Sequence, residues 1–64
     1  MCQFDIMVEK TKKVIPCVTA WDIFNVVSDI TKDFFEANDA WKQAGHLEIG
    51  TFLVGSNFTI KRIA

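Results

Sequence analysis

The hydrophobic period of this 64-residue chain changes twice along its length, and that pattern restricts its folds more than any motif does. From Gln3 to Glu9, Phe4, Ile6 and Val8 alternate against Gln3, Asp5, Met7 and Glu9, close to the period of two expected of a half-buried strand. The charged run Lys10, Thr11, Lys12, Lys13 interrupts it. Val14 to Val18 then resumes with β-branched residues, which predicts a hairpin turning near Thr11 and Lys12. A symmetric turn there sets Val8 against Ile15 and Ile6 against Cys17, with those four residues inward. A slip of one residue turns Val14, Pro16 and Val18 inward instead; the first register is preferred. Pro16 lacks an N–H, so the second strand is expected at an edge, or with that residue facing solvent.

The period then lengthens. Thr19 is a candidate N-cap, and Asp22, three residues on, suits the first turn of a helix. Ile23, Val27, Ile30, Phe34 and Trp41, flanked by Ala20, Phe24 and Ala37, form a broad apolar stripe. This predicts one long helix packed on a sheet. Asn38 and Asp39 prefer caps and turns, so a break or kink is expected there, before Gly45. His46 to Val54 and Phe58 to Ile63 are again strand-like, joined by Gly55, Ser56 and Asn57. That loop sets Val54 opposite Phe58 and Phe52 opposite Ile60 on an apolar face, with Thr51 and Lys61 on the other. Gly50 is a candidate bulge. The expected fold is α+β, in the order ββαββ, with one long helix on a small, mainly antiparallel sheet and residues 1–64 forming a single domain.

Composition then narrows the function. Half of the residues are hydrophobic, yet a chain this short buries only about 60% of the surface its unfolded form exposes, so some apolar surface is expected at a homo-oligomer seam or a partner site. Lys and Arg number 7 against 8 Asp and Glu, which leaves no bulk positive field for phosphate backbones. Cys2 and Cys17 are too few for a disulfide framework, are not opposite each other in the preferred register, and suit a reducing, cytoplasmic setting. Neither a signal peptide nor a membrane span is expected. His46 has no Cys, Asp or Glu at ligand spacing, and no phosphate loop or nucleophile constellation is present. Neither an enzymatic activity nor a cofactor is expected.

On a continuous helix, Asp22, Asp29, Asp33 and Glu36 fall in one narrow sector, opposite the apolar stripe. Like charges at these spacings repel by a few tenths of a kcal/mol, so the row costs stability and reads either as a solvated face or as an acidic docking face for a basic surface. A metal site suits it less, because hard cations need convergent oxygens. Trp21 and Phe35 lie beside the row, an aromatic composition common in interfaces. Lys10, Lys12, Lys13, Lys61 and Arg62 form a candidate weak nucleic-acid site, without the aromatic ladder such sites use.

Phe4 to Glu9, Val14 to Ala20, the central helix and Asn57 to Ile63 together resemble the small phage-encoded inhibitors of bacterial RNA polymerase typified by the T7 inhibitor. There, strands precede a single helix and a closing strand in a chain of similar length. The longer helix and the additional strand Leu47 to Val54 depart from that pattern. The resemblance implies a host-takeover role by occlusion and assigns no binding residues. The sequence therefore leads to a non-enzymatic protein-binding module, an inhibitor whose Asp22, Asp29, Asp33 and Glu36, with Trp21 and Phe35, meet a basic surface of a larger, nucleic-acid-handling protein. The alternative is a homo-oligomeric module joined through Met7, Val14 and Val18 or through an open sheet edge.

Overall fold

The computed structural model describes residues 3–64; Cys2, and with it the question of a Cys2–Cys17 bridge, lies outside the described residues. Four strands and two helices follow in the order β1 (Phe4–Val8), β2 (Val14–Cys17), α1 (Ala20–Thr31), α2 (Phe34–Ala44), β3 (Phe52–Val54) and β4 (Phe58–Arg62). The class is α+β, and the order is ββααββ rather than ββαββ. All strand pairs are antiparallel, in the spatial order β2-β1-β4-β3. The two hairpins therefore meet through their β1 and β4 strands, and the helices cover one face of the sheet.

In the first hairpin Ile6 lies opposite Ile15 and Phe4 opposite Cys17, two residues from the expected pairing of Ile6 with Cys17. The ladder closes earlier because Val8 exchanges bonds with the far side of a four-residue loop: its N–H donates to the Lys13 carbonyl at 2.8 Å, and its carbonyl accepts from the Lys12 N–H at 2.7 Å. Lys12 takes a left-handed conformation with φ 59° to make that turn. A shift of two leaves every side chain on its own face, so Ile6 and Cys17 are still buried and Val14, Pro16 and Val18 are exposed. β2 is an edge strand, and Pro16, opposite Asp5, sits between hydrogen-bonded pairs, where no N–H is required of it.

The second hairpin differs from expectation by a single residue, with larger consequences. Phe52 pairs with Lys61, Leu53 with Ile60 and Val54 with Thr59. Gly55 joins the ladder, its N–H donating to the Phe58 carbonyl at 2.8 Å, so the loop narrows to Ser56 and Asn57. That slip turns Leu53 inward and sends Phe52 and Val54 to the far face. β3 is also shorter than the predicted Leu47–Val54 strand. Residues 48–51 instead form a turn in which the Thr51 N–H donates to the Glu48 carbonyl at 3.0 Å. Gly50 has φ 87°, and Gly50 and Thr51 together bond Arg62, the two-against-one arrangement of a bulge that a left-handed glycine permits.

The predicted long helix is two helices, and the break falls at Lys32 and Asp33 rather than at Asn38 and Asp39, which lie inside α2. Lys32 is left-handed (φ 57°) and its N–H donates to the Ser28 carbonyl, a helix-ending geometry. Asp33 returns to extended backbone and caps α2, its Oδ1 accepting from Phe35 N at 2.9 Å and Glu36 N at 3.2 Å. The Thr31 hydroxyl secures the corner, donating to the Val27 carbonyl at 2.9 Å and accepting from the Asp33 N–H at 3.2 Å. α1 begins as its sequence predicts, with a capping box in which Thr19 Oγ1 accepts from Asp22 N and Asp22 Oδ2 accepts from Thr19 N, both at 3.1 Å.

The core joins Phe4, Ile6, Cys17, Phe58 and Ile60 of the sheet to Ile23 and Val27 of α1 and Ala37, Ala40 and Ala44 of α2. The three alanines recur at the spacing of one helix face and allow α2 to lie close against its neighbours. Phe34, expected in the apolar stripe, is 71% exposed, because the interruption at Lys32 and Asp33 resets the helical phase before it.

Candidate functional site

The acidic row does not exist as a row. Asp22 and Asp33 are turned back into the two helix starts, Asp29 lies 3.3 Å from Lys32 Nζ at the end of α1, and Glu36 Oε1 accepts from Ser56 Oγ at 2.6 Å, tying α2 to the β3–β4 loop. The corner between the helices separates Asp22 and Asp29 from Asp33 and Glu36, so the four no longer share a helical sector. The amide N–H groups of Thr19 and then Val18 hold the Asp22 carboxyl below the usual carboxylate range. Three of the four acids thus have local structural work, and the Asp29–Lys32 pair is an exposed contact of small energetic weight.

What the corner assembles instead is aromatic. The Trp21 and Phe24 rings stack with centroids 5.1 Å apart and planes 8° from parallel; Phe24 and Phe34 stack at 6.2 Å and 12°. Trp21 is 63% exposed, and Phe35, next in sequence after Phe34, is 87% exposed. The row thus runs from the first turn of α1 to the start of α2, where Asp29 and Lys32 lie beside Phe34. Of the expected contact residues, Trp21 is in the row and Phe35 is adjacent to its end. Phe24 and Phe34 were missed, since a continuous helix assigns both to the core side. The signal for them was present: Asp33 followed three residues later by Glu36 is an N-cap signature, and a helix start there restores the correct phase.

The basic residues do not converge. Lys10, Lys12 and Lys13 lie at the β1–β2 turn, where Lys12 Nζ is 3.3 Å from Glu9 Oε1. Lys61 lies on the open sheet face with its Nζ 5.4 Å from the Phe52 ring centroid, whereas Arg62, on the helix side, donates from Nη1 to the Leu47 carbonyl at 2.6 Å. A shallow groove of about 280 Å³ runs between α2 and the β3–β4 hairpin, past Glu36, Asp39, Gln43 and Ser56. Burial, with the Asp22 and Asp5 carboxylates nearby, pushes the Cys17 thiol up to about 11, so it is protonated at neutral pH and unsuited to nucleophilic chemistry. Among the described residues no three His, Cys, Asp or Glu side chains gather as metal ligands, and no helix is long and apolar enough to cross a membrane.

Compared with known protein families, curated proteins and solved structures, the chain matches none.

Proposed function

We propose that this chain is a non-enzymatic protein-binding module that acts by occlusion, and that its contact surface is the aromatic row Trp21, Phe24 and Phe34, with Phe35 beside it. The observation that carries this reading is the exposure of three large rings, Trp21 in the first turn of α1 and Phe34 and Phe35 at the start of α2, while the interior is filled largely with alanine, valine and isoleucine. Folding gains little from rings left in water. Aromatic side chains in contact with a partner, by contrast, supply much of an interface's binding energy.

The partner fitted by this surface is a basic protein patch. Ring faces accept guanidinium and ammonium groups, and Asp29, beside Phe34, adds negative charge at one end of the row, with Lys32 next to it. Such a module covers a surface that another ligand, including nucleic acid, would use, the mode of action implied by the resemblance to the phage inhibitors.

The test is affinity capture from the native cells by tagged wild type and by Trp21→Ala/Phe34→Ser/Phe35→Ser, with circular dichroism to establish that the variant folds. One stoichiometric partner recovered by the wild type alone supports the reading; equal recovery by both proteins, or by neither, overturns it.

A further inference from the structure

The face of the sheet turned away from the helices has an arrangement that the aromatic row does not explain. Strand alternation places Asp5 and Met7 of β1, Val14 and Pro16 of β2, Phe52 and Val54 of β3, and Thr59 and Lys61 of β4 on that face, and the registers bring them level in two cross-sheet rows. One row reads Val14, Met7, Thr59, Val54; the other reads Pro16, Asp5, Lys61, Phe52. Both edge strands thus present apolar side chains where proteins commonly place lysine or other charges, and the acid and the base stand together in the middle. Phe52 is 58% and Val54 75% exposed.

We infer that this face docks a second copy of the chain, sheet against sheet, about a twofold axis parallel to the strands and lying over the seam between β1 and β4. Rotation about that axis reverses each row onto itself. Asp5 then lies over the partner copy's Lys61 and Lys61 over its Asp5, while Val14 meets Val54 and Pro16 meets Phe52 at the flanks. Every charge meets its opposite and every exposed apolar residue of the edge strands meets an apolar one, as a self-complementary interface requires.

The charges also select this axis over its rivals. A twofold across the strands sets Asp5 over Met7 and Lys61 over Thr59, burying both charges without partners, which is strongly unfavourable. Pairing of two β3 edges leaves the apolar face open. A lipid or purely apolar occupant is disfavoured by the charges at the centre of the patch.

At about 4.8 Å between strands and 3.4 Å per residue, strands of five, four, three and five residues offer a footprint of roughly 280 Å² in projection. That is small, so the dimer is weak and reversible. Because the helices occupy the opposite side of the sheet, the dimer carries two outward-facing aromatic rows. This inference does not depend on what those rows bind.

Sedimentation equilibrium of wild type, Asp5→Lys, Lys61→Asp and an equimolar mixture of the two variants tests it. In either variant alone the docking places like charges over one another at both sites, and dissociation constants at least about tenfold higher are expected. In the mixture each acid again meets a base across the interface, although like charges stay on neighbouring strands within each chain, so affinity returns to within about threefold of wild type. A wild type that is monomeric at about 1 mM, charge reversals without effect, or a mixture no tighter than its components each overturns the inference. Should circular dichroism show that a charge reversal unfolds the chain, Phe52→Ser/Val54→Ser replaces it: loss of the dimer supports the interface, and its persistence overturns it.

Discussion

The ring of Phe58 occupies the space that a β-carbon on Gly55 would need. The two residues face each other at the closed end of the β3–β4 hairpin, and a Cβ built on Gly55 falls within overlap distance of three Phe58 ring carbons. Phe58 is among the largest fully buried side chains and cannot swing aside without opening the core. Gly55→Ala is therefore expected to cost about 1 to 3 kcal/mol, the range for overpacking, read as a lower urea midpoint at unchanged slope. Wild-type stability in this variant would show that the hairpin relaxes around the added methyl.

The corner between the helices depends on two adjacent residues with opposite requirements. Asp33→Ala removes the cap of α2 and is expected to cost about 1 kcal/mol, whereas Asp33→Asn keeps the capping oxygen and changes stability little. Lys32 needs a left-handed backbone, which glycine adopts freely and β-branched residues resist. Lys32→Gly is thus neutral or stabilising by up to about 1 kcal/mol, and Lys32→Ile destabilising. Thermal melts of the four variants separate these outcomes, and a tolerated isoleucine at position 32 would contradict the corner's geometry.

Two titrations bound the pH range of full stability. Cys17 ionises near 11 in the folded protein against an ordinary 9.0. Between these values the folded state keeps a proton that the unfolded chain has lost, so stability falls as pH rises from about 9 to 11. Asp22 works in the other direction. Its folded pKa is lowered, so its contribution is present above the ordinary carboxylate value and is lost as pH falls through the folded one. Urea unfolding of wild type and Cys17→Ala from pH 8 to 11 should show the wild type's advantage shrinking, and Asp22→Asn should lose its disadvantage in acid. A constant offset in either pair contradicts the assignment.

Exposure and burial in α2 predict opposite responses to a change in side-chain size. Phe35→Ser, at a position 87% exposed, is expected to leave stability within about 0.5 kcal/mol. Ala37→Leu adds volume at a position with no exposed surface and should cost about 1 to 3 kcal/mol. Denaturant titrations of the two would reverse that order only if α2 were rotated on the sheet.

The sequence by itself determined whatever is local in physical origin. Alternation assigns Phe4, Ile6 and Cys17 to one face whatever the exact pairing, because a two-residue shift preserves the pleat. The capping box of Thr19 and Asp22 spans one turn and needs no distant partner. The capping signal of Asp33 and Glu36 is equally local, but Asn38 and Asp39, equally poor helix formers, competed with it for the break, and a continuous helix produced an acidic row that the corner at Lys32 dissolves. Tertiary structure decided the rest. The fit of the Phe58 ring over Gly55 accompanies a one-residue slip that no periodicity reveals, and the slip sends Phe52 and Val54 outward. Strand order brings Asp5 and Lys61, 56 positions apart in the chain, onto one level. Both are long-range arrangements, chosen by how side chains far apart in sequence fill a shared space, so the candidate surfaces depend on the fold where the elements largely did not.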